Sequence, residues 1–238
     1  MTIRFGNNHI FYLSPIGEAI QQKNDEKALG LLKSGHLVLS EENGHGTLQQ
    51  IIRHCPNPKL IEAVIEKLPA EKINAIDSTG DTALMTAAKC RNIVAVNLLV
   101  AAKADVNLPD KFQQTPLHQA LNRTYPNQVP KSTVLGTVKC LLKHGASMEI
   151  LDTFKKTALQ AYISIDFCDP EVISLLVSAG DKPPYADVLK RSPGHRRILN
   201  AAIQTGLERR RKAVSTALTS QPFPLELLNL INKYEGSI

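Results

Sequence analysis

The residues whose types could carry out chemistry in this 238-residue chain are its histidines and cysteines, and His54 and Cys55 are adjacent. A histidine base activates a cysteine nucleophile when the two side chains converge within hydrogen-bond reach. Neighbouring residues of a helix point in different directions, because side chains three or four positions apart share a face. The pair is therefore not predicted to be catalytic, and the chain is not expected to be an enzyme.

The cysteines and histidines also lack the spacing of a metal site. Cys55, Cys90, Cys140 and Cys168 form no CxxC pair, and together with the seven histidines they do not follow a zinc-ligand pattern. Their spacing differs from the framework of a small disulfide-bonded domain, and there is no glycine-rich phosphate loop. No catalytic, metal-binding or cofactor-binding residue is predicted.

Hydropathy predicts the cellular compartment of the protein. The N-terminal sequence lacks the apolar run of a secretory signal, and no stretch reaches the length of a membrane-spanning helix. The expected location is the cytoplasm or the nucleus, without membrane association.

The net charge of +6 is distributed unevenly along the chain. Residues 183–238 hold nine Lys or Arg and four Asp or Glu, so most of the positive charge lies in this C-terminal region.

Helices are expected to position the histidines and cysteines, because Ala, Leu and Ile dominate the apolar residues and aromatics make up only 5%.

A segment recurs at Ile76–Leu84, Pro109–Leu117 and Leu151–Leu159. The first two copies begin 33 residues apart and the third begins 42 residues later. The middle unit therefore carries an insertion of about nine residues over 123–131. Such a period indicates stacked repeats, which bury their apolar faces against each other.

The repeat resembles the ankyrin repeat. Thr115–His118 reads Thr-Pro-Leu-His, the tetrapeptide of that family, and Ala104–Asn107 matches its usual end. The resemblance implies an all-α stack of about five helix-turn-helix repeats over residues 1–182, followed by a basic helical extension over 183–238. It places the motif starts at Ser14, Gly46, Thr82, Thr115 and Thr157. It also implies that His118 ties neighbouring loops together.

The resemblance implies a protein partner that contacts the loop tips before each tetrapeptide and the exposed face of each first helix. The residues expected to bind it are Arg53, Lys89, Lys111, Phe112, Gln114, Arg123, Tyr125, Phe154 and Lys156. Phe112 and Phe154 occupy the same loop position in neighbouring repeats and are expected at the surface, unless each ring folds under its own loop. The cations predict a positive face and an acidic partner, unless they are merely scattered surface charges.

Four positions depart from the repeat pattern. Gln113 and Lys155 replace the turn glycine kept at Gly80, so those two loops are expected to form a different turn. Ile51 and Tyr162 replace a small alanine, so looser or shifted packing is expected there.

Asn107 lies in a sequence resembling the preferred site of asparaginyl hydroxylation on ankyrin domains, with an ordinary turn asparagine as the alternative.

The C-terminal region predicts separate helices at Tyr185–Leu189, Arg197–Ala202 and Leu207–Val214. Arg209–Lys212 could act in nuclear import or nucleic-acid binding, or be a solvated helix face. Residues 222–234 form an amphipathic pattern that resembles the opening of an F-box, although the chain ends far short of a complete one; docking onto the repeats is the alternative.

The leading functional hypothesis is a monomeric adaptor or inhibitor that binds one protein target. A substrate receptor of a ubiquitin ligase and a nucleic-acid-associated regulator are the alternatives, although nucleic acid is not the expected partner. The repeats also fit a bacterial effector that acts in the cytosol of a host cell.

Overall fold

The computed structural model describes residues 3–5, 9–11, 15–34, 47–54, 57–122, 131–164, 168–180, 191 and 193–219. These residues are mainly helical, which confirms the all-α prediction. The sequence did not predict the short N-terminal hairpin, in which β1 (Ile3–Phe5) pairs antiparallel with β2 (His9–Phe11).

The helices of the first 180 residues follow one another in pairs. They are α1 (Pro15–Gln21) with α2 (Asp25–Lys33), α3 (Thr47–His54) with α4 (Pro58–Lys67), α5 (Ala83–Lys89) with α6 (Ile93–Ala101), α7 (Pro116–Leu121) with α8 (Lys131–Lys143), and α9 (Ala158–Ile163) with α10 (Pro170–Ala179). Helices α1, α3, α5, α7 and α9 contact one another in sequence, and α2, α4, α6 and α8 do the same. Helices α1 to α9 therefore stack in two layers, as repeats must to bury their apolar faces.

Three predicted motif starts are helix N-caps. Thr82, Thr115 and Thr157 precede α5, α7 and α9 in extended backbone conformation. The Thr157 hydroxyl accepts a hydrogen bond from the Gln160 N–H at 3.2 Å, and the Gln160 side chain accepts one from the Thr157 N–H at 3.0 Å. Such reciprocal bonds satisfy donors that the first helical turn leaves unpaired. Ser14 and Gly46 lie outside the described residues.

One position in the first helix of each repeat holds alanine in three repeats and a larger residue in two, and it is buried in all five. Ala19, Ala87 and Ala120 are fully buried, as close helix approach requires. Ile51 and Tyr162, which replace alanine, are buried as well. The Tyr162 hydroxyl accepts a hydrogen bond from the Asp169 N–H at 2.7 Å, so its polar end is satisfied.

The loops before α5, α7 and α9 form the same turn, so the expectation of a different turn at Gln113 and Lys155 was wrong. Both residues adopt a positive φ, 59° and 58°, as Gly80 does at 86°. The N–H groups of all three donate to the carbonyl three residues earlier at 2.9 Å.

The physical reason is a buried aspartate in each loop. Oδ1 of Asp77, Asp110 and Asp152 accepts hydrogen bonds from the N–H groups two and four residues later, at 2.8 to 3.0 Å. This carboxylate holds the turn in the left-handed conformation, whichever residue occupies the glycine position.

Replacing Gln113 or Lys155 by glycine is expected to stabilise the protein. A side chain at positive φ is strained by roughly 1 kcal/mol, and glycine removes that strain while making the unfolded chain more flexible. We expect a net gain of about 0.5 kcal/mol for each variant in urea unfolding. Thr153→Gly is the matched control, because Thr153 has no positive φ and should only lose stability; equal losses in all three variants would contradict the prediction.

The chain divides by its contacts into residues 1–172 and 173–238, with the boundary inside α10. The predicted boundary at residue 182 stays a prediction. In the second unit, α11 runs unbroken from Pro193 to Thr219, so the expectation of separate helices at Arg197–Ala202 and Leu207–Val214 was wrong. Tyr185–Leu189 and residues 222–234 lie outside the described residues.

Gly206 lies inside α11, at a point where the helix packs closely. One side of this helix is buried at helical spacing, and it consists of Leu199, Ala202, Ile203 and Gly206. A Cβ on Gly206 would lie 2.7 Å from the Ser174 carbonyl oxygen and 2.8 Å from the Val177 Cβ. The glycine is therefore a point of close helix contact rather than a helix end. Beyond it, residues 208–216 are exposed, including Arg209–Lys212.

Candidate binding face

Three loops form neighbouring tips in the first unit, and we call residues 76–81, 109–114 and 151–156 fingers one, two and three. The Thr153 N–H donates to the Phe112 carbonyl at 3.0 Å, which joins fingers two and three. Carbon atoms of the Lys111 side chain lie 3.6 to 4.0 Å from where a Cβ of Gly80 would stand, which joins fingers one and two. The fingers thus present one continuous surface.

That surface carries a group of exposed apolar side chains. Phe112 is 52% exposed and Phe154 is 76% exposed, so neither ring is tucked under its finger. Ile76 and Leu151 are 65% and 44% exposed. Sequence reasoning missed these two, although each directly precedes the aspartate of its finger and so occupies the same position in the aligned copies.

Two of the predicted surface cations belong instead to an ion-pair cluster. Lys89 Nζ lies 2.6 Å from both carboxylate oxygens of Asp81. Arg53 reaches an oxygen of Asp81 at 3.3 Å and one of Asp77 at 3.6 Å. The carboxylates of Asp81 and Asp77 therefore offset both positive charges within the protein. The contribution of Arg53 and Lys89 to a positive binding face stays a prediction.

The other predicted binding residues have different environments. Lys111 is exposed, with Nζ 5.2 Å from the centre of the Phe112 ring. Lys156 Nζ donates to the Ser164 hydroxyl at 2.7 Å. The Gln114 side-chain oxygen accepts from Gln119 Nε2 at 3.0 Å. Arg123 and Tyr125 lie outside the described residues.

A small cleft opens between α7 and α9, beside finger two. Its volume is about 170 Å³. Its walls are formed by Gln114, His118, Leu121, Asn122, Ala158, Ala161 and Tyr162. Tyr162, which replaces alanine, thus borders this cleft; the looser or shifted packing expected at Ile51 and Tyr162 stays a prediction. The cleft could take one side chain of a partner, but it is too small for an extended ligand.

His118 is a structural residue, as its position in the tetrapeptide implied. Its Nδ1 lies 2.9 Å from the Thr115 hydroxyl and accepts from the Thr115 N–H at 3.3 Å. Its Nε2 lies 3.3 Å from the Lys156 carbonyl oxygen and donates to it in the neutral tautomer. The ring therefore links α7 to finger three.

Burial lowers the pKa of His118 below its ordinary value, outweighing the hydrogen bond to Lys156 and the nearby Asp152 and Asp110 carboxylates. The unfolded chain therefore binds a proton more readily than the folded protein as pH falls below about 6.5, and stability should fall with it. We expect the free energy of unfolding to decline more steeply from pH 7.5 to 5.5 in the wild type than in His118→Gln, measured by urea titration. Parallel declines would contradict this assignment.

Asn107 joins two consecutive loops. Its side-chain oxygen accepts from the Ser147 N–H at 2.7 Å, and its amide donates to the Gly145 carbonyl at 3.1 Å. Asn74 has the same role in the preceding repeat, where its side-chain oxygen accepts from the Asp105 N–H at 2.9 Å. Both ends of the Asn107 amide therefore make structural hydrogen bonds, and hydroxylation at this residue stays a prediction.

Burial makes Cys90 and Cys140 harder to ionise than an exposed thiol. Burial raises the pKa of Cys90 against the opposing effect of Arg53, Lys89 and Arg91, and burial also raises the pKa of Cys140. Thiolates, not thiols, are the reactive form. Cys55 and the side chain of His54 lie outside what the structure describes.

Comparison with known proteins supports the repeat assignment. Residues 16–129 match the family model of ankyrin repeats in three copies. The chain is 33% identical over 95 residues to diacylglycerol kinase iota of Rattus norvegicus, covering 40% of this chain and 9% of that protein. It is 30% identical over 103 residues to a fowlpox virus protein named for its ankyrin repeats, covering 43% and 22%.

A third relative is the neurogenic locus notch homolog protein 1 of Xenopus tropicalis, 28% identical over 135 residues, which covers 46% of this chain and 5% of that protein. The chain thus spans less than a quarter of the length of each of these relatives. Among the described helices, none is both long and apolar enough to cross a membrane.

Proposed function

Because this chain carries ankyrin repeats, we propose that it is a protein-binding module whose fingers hold a protein partner. The observation that carries the proposal is the exposure of Phe112 and Phe154, with Ile76 and Leu151, on adjoining fingers. Exposed apolar groups at this density mark interaction surfaces, and aromatic rings are frequent anchors of interfaces. The module would act as an adaptor or inhibitor, in the cytoplasm or nucleus of its own cell or, as an effector, in a host cytosol.

The test is affinity capture with the full chain, comparing the wild type with the Phe112→Ala/Phe154→Ala variant. Truncation of exposed rings should change stability by no more than about 0.5 kcal/mol per ring. If the rings anchor the partner, each truncation should weaken its binding by about 2 kcal/mol. Val94→Ala is the matched control, since Val94 is 47% exposed on α6. Equal capture by all three proteins would place the partner elsewhere, and a large loss of stability would show that the rings belong to the core.

Two alternative functions each have a test of their own. A ubiquitin-ligase substrate receptor would use the tail, so deletion of residues 216–238 should abolish ligase recruitment while target capture persists. A nucleic-acid-associated regulator would use Arg209–Lys212, whose exposure on α11 supports the idea. Retention on nucleic acid that falls steeply with added salt and is lost in Arg209→Gln/Arg210→Gln would support it.

A further inference from the structure

The exposed apolar side chains of this protein are concentrated on the fingers. Seven large apolar residues are exposed within the described residues, and four of them are Ile76, Phe112, Leu151 and Phe154. The other three are separated from the fingers along the chain, on α6 and α11. Since the fingers adjoin one another through Thr153 and Lys111, these four side chains belong to one surface, which we call the finger ridge.

The charges exposed on the fingers are cations. Lys111 and Lys155 are exposed and Lys156 is half-buried, whereas the carboxylates of Asp77, Asp110 and Asp152 are buried within their turns. The Asp81 carboxylate is buried against Lys89 and Arg53. The exposed carboxylates Asp105 and Glu149 lie in the loops that precede the fingers. The finger ridge is therefore apolar with a cationic border.

From this combination we propose that the finger ridge binds an acidic peptide segment that carries bulky apolar side chains. The apolar side chains of the segment cover Phe112, Phe154, Ile76 and Leu151, and its carboxylates pair with Lys111 and Lys155. The inference rests on the proposed function and specifies the partner for the same surface. Complementary charges at the border raise the association rate and select against basic partners.

Single-stranded nucleic acid is the competing ligand, because aromatic rings beside cations also bind stacked bases. Two observations favour the peptide. Ile76 and Leu151 share the ridge, and aliphatic side chains provide no flat face for base stacking. The fingers also contain no arginine, although arginine is the cation best suited to phosphates and base faces.

The experiment selects binders for the full chain from a displayed library of random twelve-residue peptides and measures the affinity of a synthetic consensus peptide by fluorescence anisotropy. We expect a consensus that combines Leu, Ile, Phe or Trp with Asp or Glu. The Phe112→Ala/Phe154→Ala variant should bind this peptide at least about 30-fold more weakly, the equivalent of one anchor residue.

The acidic component is tested with Lys111→Gln/Lys155→Gln, expected to weaken binding about fivefold and to reduce its salt dependence. Lys59→Gln/Lys139→Gln is the matched control, because both lysines are exposed on second helices, and it should bind as the wild type does. Changing Asp and Glu of the peptide to Asn and Gln should weaken binding to the wild type by a similar factor.

Several results would overturn the inference. A peptide consensus without carboxylates would do so, as would a peptide affinity unchanged in Lys111→Gln/Lys155→Gln. Tight binding of a poly-uridine oligonucleotide that is lost in Phe112→Ala/Phe154→Ala would assign the ridge to nucleic acid. Concentration-dependent dimers in sedimentation that are lost in the same variant would assign it to a second copy of the chain. If peptides are selected but bind without the ridge, only this inference fails. If neither the library nor affinity capture yields any binder, the proposed protein-binding function fails with it.

Discussion

Replacing Asp81 by alanine is expected to lower the free energy of unfolding by about 2 to 3 kcal/mol. The Asp81 side chain is 3% exposed and is in contact with Lys89, which is 13% exposed, and with Arg53, which is 26% exposed. Without this carboxylate, Lys89 loses its counter-charge, and Arg53 keeps only the longer contact of 3.6 Å to Asp77. The loss should fall below the 3 to 5 kcal/mol roughly typical of a fully buried pair, because Arg53 can reach water.

Urea unfolding of a small set of variants tests this explanation. Asp81→Ala combined with Lys89→Met should recover some of the stability lost in Asp81→Ala, since the second change removes the cation left without a partner. Glu149→Ala is the control for losing an exposed carboxylate and should change little. If Asp81→Ala behaves like Glu149→Ala, the cluster does not stabilise the fold.

Replacing Asp110 by alanine is expected to cost about 3 kcal/mol and to abolish binding at the finger ridge. The buried carboxylate accepts three hydrogen bonds of 2.8 Å, from the N–H groups of Phe112 and Gln114 and from Gln119 Nε2. Hydrogen bonds to a charged acceptor contribute more than neutral ones, and their loss leaves partly buried donors unpaired. Gln113 would also lose the turn that holds it at positive φ.

Asp110→Asn separates the hydrogen bonds of the turn from the bond to Gln119. Asparagine keeps an oxygen for the N–H groups of Phe112 and Gln114 but puts an NH2 donor where Oδ2 accepts from Gln119 Nε2, so it should lose less stability than alanine, about 2 kcal/mol, and retain peptide binding. Thermal unfolding and anisotropy of the consensus peptide measure the two effects side by side. An Asp110→Ala protein that binds as tightly as the wild type would show that finger two is held by other contacts, and that Phe112 does not depend on the aspartate.

The sequence was sufficient for the features that depend on local interactions. Thr115, Pro116 and His118 form a helix start within four residues, and the same start recurs at Thr82 and Thr157. The N-cap threonine and the small residues of the first helix specify each repeat locally. The spacing between the copies of this motif was therefore enough to predict stacked helices. Exposure of Phe112 and Phe154 followed in the same way from their position in the loop.

Predictions failed where a distant or unrecognised side chain decides the outcome. Gln113 and Lys155 were expected to change the turn, but the aspartate at the start of each loop imposes it. Arg53 was placed on the exposed face of its helix by repeat register, and its ion pair with Asp81, 28 residues later in the chain, was not predicted. Arg197–Ala202 and Leu207–Val214 were expected as separate helices, whereas one helix spans both, and Gly206 between them packs closely against α10 because it has no side chain.

The sequence alone thus determined the repeat, its helix starts and the loop positions of the rings, because each depends on neighbours within one turn of chain. Only the tertiary structure decided which charges face outward. Stacking the repeats places Asp81 between Arg53 and Lys89 and leaves Lys111 and Lys155 exposed, and a charge is neutralised by whatever lies within a few ångströms of it rather than by its neighbours in the sequence.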